Sequence, residues 1–286
     1  MSEPALGDWI GRRETAHDLI PSSACLRMAA TLDRAPLDAG QALPMPWHWM
    51  AFLPDARQSV LGEDGHPRRG GFLPPVELPR RMWAAGRLRQ LAPVPVDRPL
   101  RRESEIVEVK DKDGRSGRLV FVTVRHTIRD AAGVGLLEEW QDIVYRDAPV
   151  PGQAAPAGEP APPDATWKRR VDPDPALLFR FSALTFNGHR IHYDRPYATS
   201  VEGYPGLVVH GPLLATLLLD GLRHEGGVSE APAWFEFRAM RPVFDGAPFW
   251  VCGRPSDDGV HALWIEDAQG MLCMRATAGL FGERVA

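Results

Sequence analysis

The chain has 286 residues, 44% of them apolar and 24% charged, a globular composition that fits neither a disordered nor a fibrous protein. Thirty-three Lys and Arg stand against 37 Asp and Glu, a net charge of −4. That balance argues against nucleic acid or an anionic membrane as partner and leaves small acidic ligands open. The first ten residues lack the basic and apolar regions of a signal peptide. The most apolar run, Leu213 to Leu219, is far shorter than the roughly 20 residues that cross a bilayer. Cys25, Cys252 and Cys273 form no C-x-x-C pair and are too few for a disulfide framework. A cytoplasmic setting is expected.

In chain order, Ser22 is expected to cap a short helix running to about Leu32 and ending before Pro36. Residues 37–80 look irregular, punctuated by Pro44, Pro46, Pro54, Pro67, Pro74, Pro75 and Pro79. A loop of that length in a compact domain usually carries function or covers something. Trp47, Trp49 and Trp83 read as core or pocket wall. Ile106–Val109, Arg118–Ile128 and Leu136–Tyr145 read as strands, with Asp113-Gly114 and Gly133 at the turns between them.

The stretch 148–164, APVPGQAAPAGEPAPPD, reads as an extended linker and divides the chain into halves 1–147 and 165–286. In the second half, Leu178–Thr185 reads as a short strand, and a helix is expected from Gly211-Pro212 to about Arg223. Four strands follow, Ala233–Met240, Pro248–Gly253, Ala262–Glu266 and Met271–Gly279, separated by turns at Asp245-Gly246, Asp258-Gly259 and Gln269-Gly270. Leu213, Leu214, Leu217, Leu218 and Leu219 cover most of the helix wheel, so that helix is buried. A buried helix followed by an antiparallel sheet is the hot-dog arrangement. Two such halves make an α+β double hot dog, each sheet wrapped on a central helix.

Chemistry concentrates in Asn187-Gly188-His189-Arg190-Ile191-His192-Tyr193-Asp194 and in His210-Gly211-Pro212. Asn187 is the single asparagine of the chain. His192 is the candidate for proton transfer, because an imidazole can both accept and donate near neutrality. The first N–H groups of a helix starting at Gly211 would favour a developing oxyanion, although an ordinary helix cap fits the same residues. His189, His192 and His210 with Asp194 or Glu202 could also be weighed as metal ligands, but no H-E-x-x-H or cysteine pair supports that, and no metal is expected. Arg190 and Arg195 flank the histidine, and Arg68, Arg69, Arg80 and Arg81 sit in the Pro-rich region; their forks suit carboxylate or phosphate. No G-x-G-x-x-G, P-loop or G-x-S-x-G motif is present.

FSALTFNGHRIHYDRPYA, followed by GLVVHGP, resembles the active segment of the MaoC-like, R-specific enoyl-thioester hydratases of the hot-dog superfamily. Their pattern, S-G-D-x-N-P-[LIV]-H-x(5)-[AS] with a later H-G, falls in register with His192, Ala198, His210 and Gly211. GHPRRGGFLPPVELPRRMWAAGRL, Gly65 to Leu88, resembles the first half of a subgroup that hydrates itaconyl-CoA or mesaconyl-CoA. One departure matters: the family's catalytic Asp falls on Asn187, which cannot remove a proton, and the family's Asn and Pro fall on His189 and Arg190.

The resemblance implies a hydro-lyase adding water to a short dicarboxylic enoyl-CoA without a further cofactor. His192 would move the proton, Asn187 would orient the water, and the Gly211 N–H would hold the thioester oxygen. His189, Arg190, Arg195 and His210 would bind substrate, and the first half would be non-catalytic. A 3-hydroxyacyl-thioester dehydratase, a thioesterase and an inactive acyl-CoA-binding protein are the alternatives. Exposed sheet edges leave a homodimer open.

Overall fold

The computed structural model describes residues 5–38, 40–114, 117–147, 158–256 and 259–280. The first half builds β1 (Arg13–Asp18), α1 (Ser22–Thr31), β2 (Arg80–Gln90), β3 (Leu100–Gly114), β4 (Gly117–Asp130) and β5 (Gly135–Arg146). The second builds β6 (Trp167–Val171), α2 (Pro175–Thr185), α3 (Gly211–His224), β7 (Trp234–Ala239), β8 (Phe249–Pro255), β9 (Val260–Glu266) and β10 (Leu272–Gly279). All strands join one antiparallel sheet in the order β1-β3-β4-β5-β2-β7-β10-β9-β8-β6.

That order is a palindrome of two identical topologies. In each half the first strand takes the outer edge, helix intervenes, the second strand reaches the centre, and the remaining three fill the gap. The halves meet where β2 pairs with β7, from Ala85↔Arg238 to Arg89↔Trp234. The edge-to-edge double hot dog expected from the sequence is therefore present. No helix among the described residues is long and apolar enough to cross a membrane, and Cys25, Cys252 and Cys273 are free and buried.

The central helix is α3, whose residues Leu213–Leu219 are all buried, packed against β8, β9 and β10. Burial of each leucine contributes about 1.5–3 kcal/mol relative to exposure. This fixes the helix and therefore where its N-terminus points. In β4 the inward positions Val120, Val122, Val124 and Ile128 alternate with more exposed neighbours, the period of a half-buried strand.

Two expectations need correction. Leu178–Thr185 is the body of a helix: Asp174 accepts the Leu177 N–H at 2.7 Å, Pro175 opens the first turn, and Leu178, Phe181 and Ser182 form its buried face. Its dense apolar run imitates a strand. Ser22 also caps nothing; Pro21 holds that position, and the Ser22 N–H donates to Asp97 Oδ1 at 2.8 Å. The edge strands β1 and β6 escaped the sequence reading because both are charged and largely exposed, the composition that protects sheet edges. Of the expected linker, residues 148–157 lie outside the described residues. Residues 158–164 are tied down, with the Ala161 N–H donating to Gly270 O at 2.9 Å and the Leu272 N–H to Glu159 O at 2.8 Å.

Gly86 sits at the seam between the halves, where an added Cβ would lie 2.5 Å from the Phe237 ring. That ring packs edge-on against Trp49 and Trp83 and cannot swing aside freely. Gly86→Ala is expected to destabilise the fold by about 1–3 kcal/mol, read as a lower urea midpoint at unchanged slope. An unaltered midpoint would show that the seam is loosely packed.

Candidate active site

The site is assembled where α2 ends and α3 begins. Phe186 adopts the left-handed conformation (φ 48°) and turns the chain out of α2, while the Asn187 N–H donates to Ser182 O at 2.9 Å. Asn187 Oδ1 accepts the His189 N–H at 3.0 Å, an Asx turn that leads into the single helical turn Arg190–His192. His192 is 7% exposed, and its Nδ1–H donates to Val208 O at 2.7 Å. That bond fixes the tautomer: Nε2 carries the free lone pair.

His192 lies at the head of α3. Its ring stacks on His210, the residue capping α3, with centroids 3.7 Å apart and planes within 20°. His210 is fully buried, with Nε2 and Ser182 Oγ hydrogen-bonded at 2.8 Å. Among the described residues the Gly211 N–H has no partner, and nothing lies within 4 Å of a Cβ built there. The start of α3 is open to a ligand atom, and its dipole favours negative charge. The next residue, Pro212, lines a cleft of about 1760 Å³, together with Asn187, Gly188, Phe181 and, from the first half, His66 and Trp83.

The histidines form a row. His189 stands edge-on to His192 at 5.4 Å, and His66 lies against His189 at 4.2 Å. Burial holds His192 and His189 neutral down to about 3, with neighbouring imidazoles adding to the effect, and pushes His210 well below its ordinary value. His66 comes from a tight turn of the Pro-rich loop, closed by Gly62 N–H to His66 O at 2.7 Å. That turn docks on the second half: the Arg190 N–H donates to Asp64 O at 2.9 Å and Arg190 Nη1 donates to Glu63 O at 3.0 Å. Gly65 makes this approach, with φ at +88° and a position where a Cβ would stand 1.9 Å from Gly188 O.

The structure thus brings together Asn187, His189, His192, His210 and Gly211. The two expected anion ligands each hold an internal ion pair, and Arg190 also lines the cleft. Arg190 is paired with Asp194 at 2.7 Å and stacked on Tyr197, and Arg195 is paired with buried Asp245. Both guanidiniums brace loops, because each found a carboxylate of the chain itself. Sequence reasoning also passed over His66 and Asp64, although the length and proline content of their loop marked it as functional. A second polar group on the first-half wall went unseen. Buried Glu139 accepts from His48 Nε2 and Trp49 Nε1, both at 2.9 Å. Burial would raise its carboxyl, but the His48 contact outweighs this and lowers it to about 2.

Fold and site together define a double hot-dog protein with imidazoles and open helix N–H groups at one end of a buried helix. The family model for hydroxyacyl-thioester dehydratase type 2 (Htd2) matches residues 46–245. The chain is 50% identical over 277 residues to mesaconyl-C(4)-CoA hydratase of Chloroflexus aurantiacus, covering 96% of this chain and 97% of that protein. Among solved structures, a MaoC-like dehydratase superimposes with a TM-score of 0.72 at 16% identity, covering 97% of this chain and all of that one. A double hot-dog protein of Mycobacterium tuberculosis superimposes with a TM-score of 0.59 at 15% identity, over 97% of this chain and 98% of that one. The chain belongs to the hydroxyacyl-thioester dehydratase type 2 family and is a hydro-lyase with the MaoC-like fold.

The buried imidazoles have a consequence for stability. Below about pH 6.5 the unfolded chain gains protons on these histidines while His189 and His192 in the native state do not until about 3, so stability falls as pH drops through that window. The urea midpoint is expected to be lower at pH 5 than at pH 7, with a smaller drop in His192→Gln. A midpoint that does not change between those pH values would mean the rings are charged when folded.

Proposed function

We propose that the protein hydrates a short dicarboxylic enoyl-CoA, with mesaconyl-CoA first and itaconyl-CoA second among substrates. The observation that carries the chemistry is the fixed tautomer of His192, whose ring stacks on His210, the residue capping the open N-terminus of α3. The substrate assignment is supported by the identity with the Chloroflexus aurantiacus hydratase across nearly the whole of both chains.

In this reading His192 Nε2 takes a proton from water as the oxygen attacks the β-carbon, then returns it to the α-carbon. The displaced electron pair moves to the thioester oxygen, which receives the Gly211 N–H at the positive end of α3. Asn187 Oδ1 is oriented by the His189 N–H, and its amide nitrogen donates to the water. A bound dicarboxylate brings negative charge beside His192 and offsets the burial that makes the empty site weakly basic. Asn at 187 keeps a second carboxylate of the protein away from that of the substrate. Residues 165–286 carry the catalytic end of the cleft and residues 1–147 close it, in a space larger than the 300–1,000 Å³ typical of small-ligand pockets. The proposed steps need no cofactor.

The experiment is loss of enoyl absorbance across mesaconyl-, itaconyl-, crotonyl- and long-chain enoyl-CoA. Fastest turnover is expected with a dicarboxylic thioester, and His192→Ala is expected to lower kcat about 100-fold or more. Asn187→Asp should harm the dicarboxylic substrates more than crotonyl-CoA. Equal losses on both would remove the electrostatic argument. Binding without any absorbance change would identify an inactive binder, and preference for long chains would favour the fatty-acid dehydratase.

A further inference from the structure

We propose that His66, held in place by Asp64, is a second catalytic residue of the active site, supplied by the first half of the chain, whose Nε2 accepts a hydrogen bond from the attacking water. The proposal rests on the hydratase reading and deepens it. An attacking water whose two hydrogens both meet acceptors is held with a lone pair facing the β-carbon. His192 Nε2 supplies one. Asn187 is the weaker candidate for the other, because one lone pair of its Oδ1 is already taken by the His189 N–H at 3.0 Å and its nitrogen only donates.

His66 meets the requirement. Its Nδ1–H donates to Asp64 Oδ2 at 3.0 Å and its backbone N–H donates to Asp64 Oδ1 at 3.0 Å, which leaves Nε2 as the free acceptor. The residue lines the same cleft as Asn187 and Pro212, and its ring packs on His189, the neighbour of His192. Its position is rigid, since the Asp64 carbonyl receives the Arg190 N–H and Gly65 lies directly on Gly188. Burial alone would raise the Asp64 carboxyl, but the hydrogen bonds it accepts from His66 prevail and hold it well below the usual carboxylate range.

The step balances with water and thioester alone. One O–H bond of the water breaks and its proton goes to His192 Nε2. The oxygen bonds to the β-carbon, and the double-bond pair passes to the thioester oxygen. The second hydrogen stays on the oxygen, held by His66 Nε2. The His192 proton then moves to the α-carbon. Ionised Asp64 favours the transient positive charge within the imidazole row. Asp64 is a positioning residue; His66 touches the reacting water.

A rival exists in the same residues. Asp64, His66 and His189 present ligand atoms within 4.8 Å of one another, a spacing a divalent metal could use.

The test compares wild type, His66→Ala and Asp64→Asn with mesaconyl-CoA, beside thermal melts and calorimetric binding of the saturated analogue methylsuccinyl-CoA. The expected result is a kcat about 100-fold lower in His66→Ala and on the order of 10-fold lower in Asp64→Asn, with analogue binding unchanged. Asp64→Asn preserves size and keeps the test decisive if His66→Ala does not fold. Full kcat in a folded Asp64→Asn or His66→Ala protein overturns the proposal. So does loss of analogue binding with kcat intact, or wild-type activity abolished by EDTA and restored by zinc. A wild-type protein inert towards the whole substrate panel would remove the hydratase reading itself, which is a separable result.

Discussion

The bond from His192 Nδ1–H to the Val208 carbonyl decides which ring nitrogen can accept a proton, and the rest of the site is arranged around that choice. Val208 is itself fixed, its N–H donating to Ile191 O at 3.0 Å and the next N–H, of Val209, to Val243 O at 2.8 Å. The carbonyl that orients the imidazole therefore belongs to the strand-like approach to α3, and the ring it orients stacks on the residue capping that helix. In the proposed reading, proton acceptor and oxyanion donor are two consequences of how one segment enters one buried helix. Removing either would leave a polar group in an apolar surround without its partner, at a cost of about 1–3 kcal/mol.

The pseudo-symmetry of the sheet gives the two halves different tasks. Among the described residues only the second carries a long buried helix, and the proposed reacting position lies at its open end. The first half has α1 and a Pro-rich loop in the corresponding place. That loop projects a turn across the seam until its backbone touches Gly188. A glycine at position 65 is what permits the contact, because any side chain there meets a carbonyl oxygen. The seam strands β2 and β7 and the Gly86–Phe237 contact keep this geometry from drifting.

Much of this was legible in the sequence, and the reasons differ by element. The leucines of α3 surround the helix, so its burial follows from periodicity alone. The strands β3 to β5 and β7 to β10 alternate or run apolar and are bounded by glycine turns. By contrast, α2 carries so many apolar residues that no single face stands out, and only Asp174-Pro175 marks it as a helix. The charged edges β1 and β6 present no apolar period at all. In the site, the cluster around His192 was visible because its members are close in sequence. Asp64 and His66 reach it only through tertiary docking across more than a hundred residues, and the pairing of Arg190 with Asp194 and of Arg195 with Asp245 depends on local folding that the sequence does not display.

The most direct measurement is nitrogen-15 NMR of protein labelled at histidine, followed as a function of pH. The account predicts that His192 shows a protonated Nδ1 and an unprotonated Nε2 throughout the range from pH 8 to about 5, consistent with a ring neutral down to about 3. A ring that titrates near 6.5, or one that carries its proton on Nε2, would contradict it.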